Sequence, residues 1–363
     1  MVSFQIFFST GGIILFNGLN KTVIGASHIA AGTVCQDWSA VRIKDNYSIA
    51  IVADGHGSKK HFRSDIGSKA AVHAVCDTIE NLCANMQLFE SAFIKNPPDV
   101  IKKIQKRIIL CWNDIVNNYH NAVPVKPEET QKLTDEEYKN LKLESIYGST
   151  LIAVCMTTHF CFGIQLGDGS MVLVNDDGST VMPIEDDESC PANLTASLCN
   201  SNALDMFNSF YRIGNNPIAM LVSTDGLYTS FGSKESFEEY NHIIVSQLDN
   251  MQRSETMIEN NLKKRTCHGS QDDISLALIF NTDVLDYMID TLKLQVNENK
   301  YEAQKRAAAD KAKFEKYKAK LIKHNQMFDK EELLEKKLQA IDERGNTDEL
   351  DDDELEDETV SLE

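Results

Sequence analysis

Apolar runs of five to seven residues recur along this chain, and each meets an aspartate at one end. Ile49-Ala50-Ile51-Val52-Ala53 runs into Asp54-Gly55-His56-Gly57, and Ala219 to Thr224 runs into Asp225-Gly226. Phe160 to Leu166 is followed by Gly167-Asp168-Gly169. Asp272-Asp273 precedes Ile274 to Phe280, and Gln36-Asp37 precedes Trp38 to Ile43. Runs this short, rich in Ile, Val, Leu and Phe and bounded by Gly or Asp, read as buried strands rather than helices.

The spacing brings these acids to one rim. Residues 38–44 and 47–53 are separated by Asp45-Asn46, a two-residue link suited to a tight hairpin. The start of the first strand then lies beside the end of the second, which makes Asp37 and Asp54 neighbours. Residues 149–157 and 160–166 form a second hairpin around Thr158-His159 and place Gly148-Ser149 beside Asp168. If the strands ending at Asp225 and beginning after Asp273 pair antiparallel, their carboxylates meet as well. Four or five aspartates on one rim repel strongly unless cations neutralise them, so the pattern points to a metal site. Taken singly, an Asp-Gly after a strand is a turn. Asp54-Gly55-His56-Gly57 says more, because a fold gains nothing evident from an imidazole there, while flanking glycines let the chain turn sharply.

In this order the motifs resemble the metal-dependent serine/threonine phosphatases of the protein phosphatase 2C type. The matching residues are Gly32-Thr33-Val34-Cys35-Gln36-Asp37, Asp54-Gly55-His56-Gly57, Tyr147-Gly148-Ser149-Thr150-Leu151, Gly167-Asp168-Gly169, Ser223-Thr224-Asp225-Gly226-Leu227 and Gly269 to Ser275. They span about residues 22–282, and Gly25-Ala26-Ser27-His28 with Cys35-Gln36-Asp37 looks like a bacterial branch of the family. The resemblance implies an α+β fold, a four-layer α/β/β/α sandwich of two antiparallel sheets flanked by helices. It also implies a binuclear Mg²⁺ or Mn²⁺ centre at one end of that sandwich.

Carried onto this sequence, the resemblance gives Asp54 to both ions, and Asp225 and Asp272 to one of them. The Gly55 carbonyl and Asp37 serve the other, and Asp168 matches an acid linked to a third, weaker metal. Asp273 stands where the family often has Asn, so it is read as support. His56 is the family's candidate general acid for the departing seryl or threonyl oxygen. Hard oxygen ligands suit Mg²⁺ or Mn²⁺ better than zinc. Activation of water at such a centre makes hydroxide available near neutral pH, so no cysteine is needed as nucleophile.

Two departures from the family pattern stand out. Gly32 occupies the place of a phosphate-binding Arg, and His28, Lys59, Lys60, His61 or Arg63 are the candidates to supply that charge. Gln36 replaces a common Glu and removes one negative charge near the metals. Calcineurin-type metallophosphoesterases also use Asp-x-His-Gly, but their later Gly-Asp-x-x-Asp and Gly-Asn-His motifs are absent.

The rest of the chain sorts by composition. Phe4 to Phe16 is apolar but broken by Ser9-Thr10-Gly11-Gly12 and too short to span a bilayer, so residues 1–21 read as an extension or an extra strand. Residues 22–283 read as the catalytic domain. Helices are predicted over 65–90 and 99–120, a surface loop with a short helix over 124–140, and a polar insertion over 175–216 that the family uses as a flap. From Val284 to Arg344 there is no Pro or Gly, so residues 284–345 read as a charged helical arm. Residues 346–363 read as an acidic disordered tail, since ten acids and no base fall between Asp348 and Glu363. That tail accounts for more than half of the net charge of −19 and argues against nucleic-acid binding. Nine scattered cysteines without a Cys-x-x-Cys pair suit a reducing compartment, so the chain is placed in the cytoplasm with no membrane partner.

The expectation is therefore a phosphatase acting on phosphoserine and phosphothreonine proteins, with a serine/threonine kinase as a candidate partner. The alternative is a catalytically weak phosphatase fold that binds a kinase or phosphoprotein through its helical arm.

Overall fold

The computed structural model describes residues 16–184, 195–323 and 335–339. Ten strands form two five-stranded sheets in which every pairing is antiparallel. The strands are β1 (Phe16–Val23), β2 (Trp38–Ile43), β3 (Tyr47–Ala53), β4 (Leu151–Thr157), β5 (Phe160–Leu166), β6 (Ser170–Val174), β7 (Thr180–Val181), β8 (Asn208–Ile213), β9 (Ala219–Ser223) and β10 (Ile274–Asn281). One sheet runs β1-β10-β9-β6-β7 and the other β2-β3-β4-β5-β8. The helices are α1 (Ala26–Ala31), α2 (Ser64–Cys83), α3 (Met86–Lys95), α4 (Pro97–Ala122), α5 (Asp135–Lys139), α6 (Leu143–Ile146), α7 (Asp225–Tyr228), α8 (Lys234–Ser246), α9 (Met251–His268) and α10 (Thr282–Lys323).

Why the central strands are so largely apolar follows from the layering. Ile49, Ile51 and Ala53 of β3 face the cluster built with α2, α3 and α4, while Ala50 and Val52 face the other sheet. In β10, Ile274, Leu276, Leu278 and Phe280 face α8 and α9, while Ala277 and Ile279 point between the sheets. Side chains alternate along a strand, so a strand covered on both sides needs apolar residues at every position. The result is the four-layer sandwich expected from the motifs.

The long insertion departs from its polar reading. Residues 208–213 form β8, the edge of the second sheet beside β5. Only Phe210 and Arg212 in it are better than exposed, so no apolar alternation marks the strand in the sequence. Gly163 opposite makes the pairing possible: a Cβ there would lie 2.5 Å from the Phe210 ring.

At the N-terminal side, β1 pairs with β10 along its whole length, from Phe16↔Asn281 to Val23↔Ile274. At the other end, α10 is one helix of 42 residues, about 63 Å long at 1.5 Å per residue. Its opening turns bury Leu285 and Leu292 against the α8 side of the core. Beyond Lys300 nearly all of its described side chains are exposed. The acidic tail and most of residues 324–345 lie outside the described residues. Among the described residues, no helix is long and apolar enough to cross a membrane.

Candidate metal centre

The register places the acids as the hairpin spacing requires. Trp38 pairs with Ala53, which sets Asp37 beside Asp54 at the end of the second sheet. In the first sheet Ser223 of β9 pairs with Leu276 on one side and Ser170 on the other. Asp225 therefore lies between the Asp272-Asp273 turn and the Gly167-Asp168-Gly169 turn. The two sheets deliver their acids to a common edge, where Asp54 and Asp225 are close enough to perturb each other.

The loop that carries Asp54, Gly55 and His56 is clamped from both sides. Gly55 N–H donates to the Gln36 carbonyl at 3.1 Å, and His56 N–H to the Gly148 carbonyl at 3.1 Å. Asp54 N–H donates to Thr150 Oγ1 at 3.0 Å, while Thr150 N–H returns to the Asp54 carbonyl at 2.8 Å. A side chain at Gly55 would meet the Ser64 carbonyl oxygen at 2.6 Å, so glycine is obligatory there.

Electrostatically, the gathering is costly without a cation. Burial pushes the Asp54 carboxyl well above the usual carboxylate range, and repulsion from Asp37, Asp225 and Asp272 adds to it. Asp37, only 2% exposed, is raised by burial, opposed by the hydrogen bond from Thr224 and reinforced by Asp273. Asp225 is pushed up to about 6 by burial and by repulsion from Asp168. Acids held this close while losing water fit a divalent cation, whose charge would offset both penalties. The fit is of converging pairs: among the described residues, no three His, Cys, Asp or Glu side chains are drawn tightly enough to enclose an ion by themselves.

Asp272 is half exposed, and Asp273 beside it is buried. Asp273 accepts the backbone N–H groups of Gly25 and Gln36, each at 2.6 Å, and its Oδ1 is 2.9 Å from His28 Nδ1. It thereby straps the α1 segment to the site. Asp168 accepts the Thr195 hydroxyl at 2.8 Å, which brings the returning limb of the insertion to the rim.

His56 lies beside a second imidazole, with ring centroids 4.9 Å from those of His61. His61 Nδ1 is bound to the Ser145 carbonyl, and burial lowers its pKa to about 4. Burial lowers that of His56 too, against the pull of Asp168.

These facts thin the candidates for the missing Arg. His61 is neutral near pH 7. Arg63 is 4% exposed and bound by both its Nε and Nη2 to Glu129, at 2.7 and 2.9 Å, away from the acids. Lys59 is engaged by Glu137 at 2.6 Å. His28 lies against Asp272 and Asp273, and exposed Lys60 is close enough to depress His56. Gly32 itself closes α1 with φ of +66°.

Sequence reasoning did not find the roles of Thr22, Ser275, Thr224, Thr195 or His61. The one signal available was for Ser275, a hydroxyl in a strand otherwise apolar and covered on both sides.

The chain thus builds a double antiparallel sandwich whose strand ends bring paired carboxylates and a histidine to one edge. The chain belongs to the protein phosphatase 2C family, whose sequence pattern matches residues 24–264. Asp272 and β10 lie beyond that span. Among solved structures, a bacterial serine phosphatase is 14% identical, with 73% of this chain and 98% of that chain covered and a TM-score of 0.48. The catalytic domain of the serine/threonine phosphatase PstP, in complex with two manganese ions, is 13% identical over 74% of this chain and 98% of that one, with a TM-score of 0.44. PstP/Ppp of Mycobacterium tuberculosis is 12% identical over 74% and 99%, with a TM-score of 0.45. No curated protein matches the chain.

Proposed function

We propose that this protein hydrolyses phosphoserine and phosphothreonine esters of proteins with the help of two Mg²⁺ or Mn²⁺ ions. The observation that carries the reading is the convergence of Asp37, Asp54, Asp168, Asp225 and Asp272 on one edge of a phosphatase 2C chain. Asp54 would serve both ions, Asp225 and Asp272 one of them, and Asp37 with the Gly55 carbonyl the other. Asp168 would hold a third. Bound there, the ions supply an acidified water and screen the charge of the phosphate.

The chain's own groups do the rest. His56 holds the proton needed by the departing seryl or threonyl oxygen. Its burial makes that proton easier to give, and the negative charge of Asp168 keeps it from being lost too early. Gly148 leaves room for the ring, since a Cβ there would sit 2.9 Å from His56 Cδ2. His28, whose ring lies 2.9 Å from Asp273, and exposed Lys60 beside His56 are assigned the role of attracting phosphate. Eight described cysteines are free thiols, which suits a cytoplasmic setting. A serine/threonine kinase acting on the same substrates is the natural counterpart.

Hydrolysis of p-nitrophenyl phosphate and of a phosphothreonine peptide tests the reading. Turnover should require Mn²⁺ or Mg²⁺, stop with EDTA, and collapse in Asp54→Ala and Asp225→Ala. Undiminished turnover in either variant sinks it, and no turnover by the wild type on several peptides would favour a phosphoprotein-binding module.

A further inference from the structure

A line of hydrogen bonds joins the N-terminal strand to Asp37. Asn20 Nδ2 donates to Ser39 Oγ at 3.0 Å and to the Ser39 carbonyl at 3.3 Å. Ser39 Oγ lies 2.8 Å from Thr22 Oγ1, and Thr22 Oγ1 lies 2.7 Å from Ser275 Oγ. Ser275 in turn reaches the Asp37 carboxyl through Thr224. Asp37's Oδ2 receives the Thr224 hydroxyl at 2.8 Å, and Thr224 Oγ1 accepts the Ser275 N–H at 2.9 Å.

Chemistry fixes both ends of this line. A carboxylate only accepts, so Thr224 gives its one proton to Asp37 and accepts the Ser275 N–H. Ser39 accepts from the Asn20 amide, whose orientation is set because the same nitrogen also meets a backbone carbonyl, which cannot donate. Hydrogen bonds aligned head to tail strengthen one another. Asp37 is 2% exposed, so these hydroxyls stand in for water around it.

Resting on the function proposed above, we infer that Thr22 is a positioning residue for Asp37. Acting through Ser275 and Thr224, it holds the buried carboxylate in an orientation from which it can serve a divalent ion. Thr22 belongs to β1 and Ser39 to β2, so the line also ties the two sheets together beside the site. The strand before the first recognisable motif is thereby part of the metal centre. Groups behind a ligand commonly change metal affinity by about 10- to 100-fold.

The test is the Mn²⁺ dissociation constant of the full-length protein, measured by titration calorimetry in the absence of substrate, together with the melting temperature in EDTA. Thr22→Val keeps the branched shape and removes only the hydroxyl, and Thr22→Ser restores it. We expect Thr22→Val to bind Mn²⁺ about 10-fold more weakly, with Thr22→Ser at wild-type affinity. Asp37→Asn serves as the reference. If Asp37→Asn weakens Mn²⁺ binding and Thr22→Val does not, the inference is overturned while the metal site stands. If both Thr22 variants weaken binding in step with a lowered melting temperature, the role is structural only, and the inference is again overturned. If Asp37→Asn binds Mn²⁺ as the wild type does, the placement of Asp37 at the metals fails, and the inference goes with it.

Discussion

Asp54 and Asp225 follow strands of different sheets and come together, buried, where the two sheets meet. Burial and mutual repulsion, joined by Asp37, Asp168 and Asp272, raise the pKa of both carboxyls and so favour a proton there. The junction of the sheets is thus a place where a cation and a proton compete.

That competition has a sign. Asp225 titrates near 6 in the folded protein, above its ordinary 3.8, so its contribution to stability is full below about pH 4. It is lost as pH rises through 6. In EDTA, Asp225→Asn should gain on the wild type in melting temperature between about pH 5 and pH 7. Mn²⁺ at 100 times its dissociation constant should stabilise the wild type by about 2.7 kcal/mol and leave the variant nearly unmoved. An equal Mn²⁺ shift in both proteins, followed by scanning calorimetry, would contradict the competition.

Gly148 is predicted to be needed for catalysis as well as for folding. A Cβ at this position would lie 2.6 Å from His61 Nδ1 and 2.9 Å from His56 Cδ2. Gly148→Ala must therefore displace both rings. Turnover of a phosphothreonine peptide should fall by about 10²-fold or more, the size of a general-acid contribution. p-Nitrophenyl phosphate, whose leaving group needs no proton, should lose much less. Equal losses on the two substrates would separate Gly148 from the proton-donating step.

Arg63 and Glu129 hold the loop after α4 to the start of α2. Arg63 also donates to the carbonyls of Val123 and Pro124, at 2.9 and 3.0 Å, and to the Tyr147 hydroxyl at 3.2 Å. The Arg63 hydrogen bonds hold the Glu129 carboxyl below its ordinary value. Its contribution is thus present above about pH 4.5 and lost as pH falls through its folded pKa. Glu129→Gln should cost about 1–2 kcal/mol at pH 7, reduced from a fully buried pair because Glu129 touches solvent. The deficit should close in urea titrations taken below the folded pKa of Glu129; a constant deficit would assign it to packing.

How much of this was legible in the sequence depends on which surface records the information. The strands show because both of their faces are buried, so Ile49 to Ala53 is apolar at every position and Ile274 to Phe280 at every one but Ser275. The acids show because no core explains them. Asn208 to Ile213 does not show as a strand: at a sheet edge, packing constrains little more than Phe210. Arg63 was open as a phosphate ligand from its place after His56, and only the position of Glu129 in space removes it. The Thr22–Ser275 contact joins residues 253 positions apart. No local spacing records such a pair, and hydroxyls serve equally well as surface groups.

The C-terminal helix supplies a last prediction, because its boundary as an arm is set by packing rather than composition. Leu292 is fully buried and Leu285 is 1% exposed, both in the cluster shared with Phe237, Ile244 and Val245 of α8. Lys293 pairs with Asp249 at 2.5 Å, and Gln295 donates to the Asp177 carbonyl at 3.1 Å. Further along, Tyr301 is 65% exposed. A chain ending after residue 296 should therefore retain the wild-type melting temperature and phosphatase activity. Ending it after residue 283 exposes the α8 cluster and should leave little folded protein. Leu292→Ala in the full chain should cost about 3 kcal/mol, roughly 6–12 °C in a domain of this size. Tyr301→Ala should stay within about 0.5 kcal/mol of wild type. If Leu292→Ala melts with the wild type, the opening turns of α10 are not part of the packed domain.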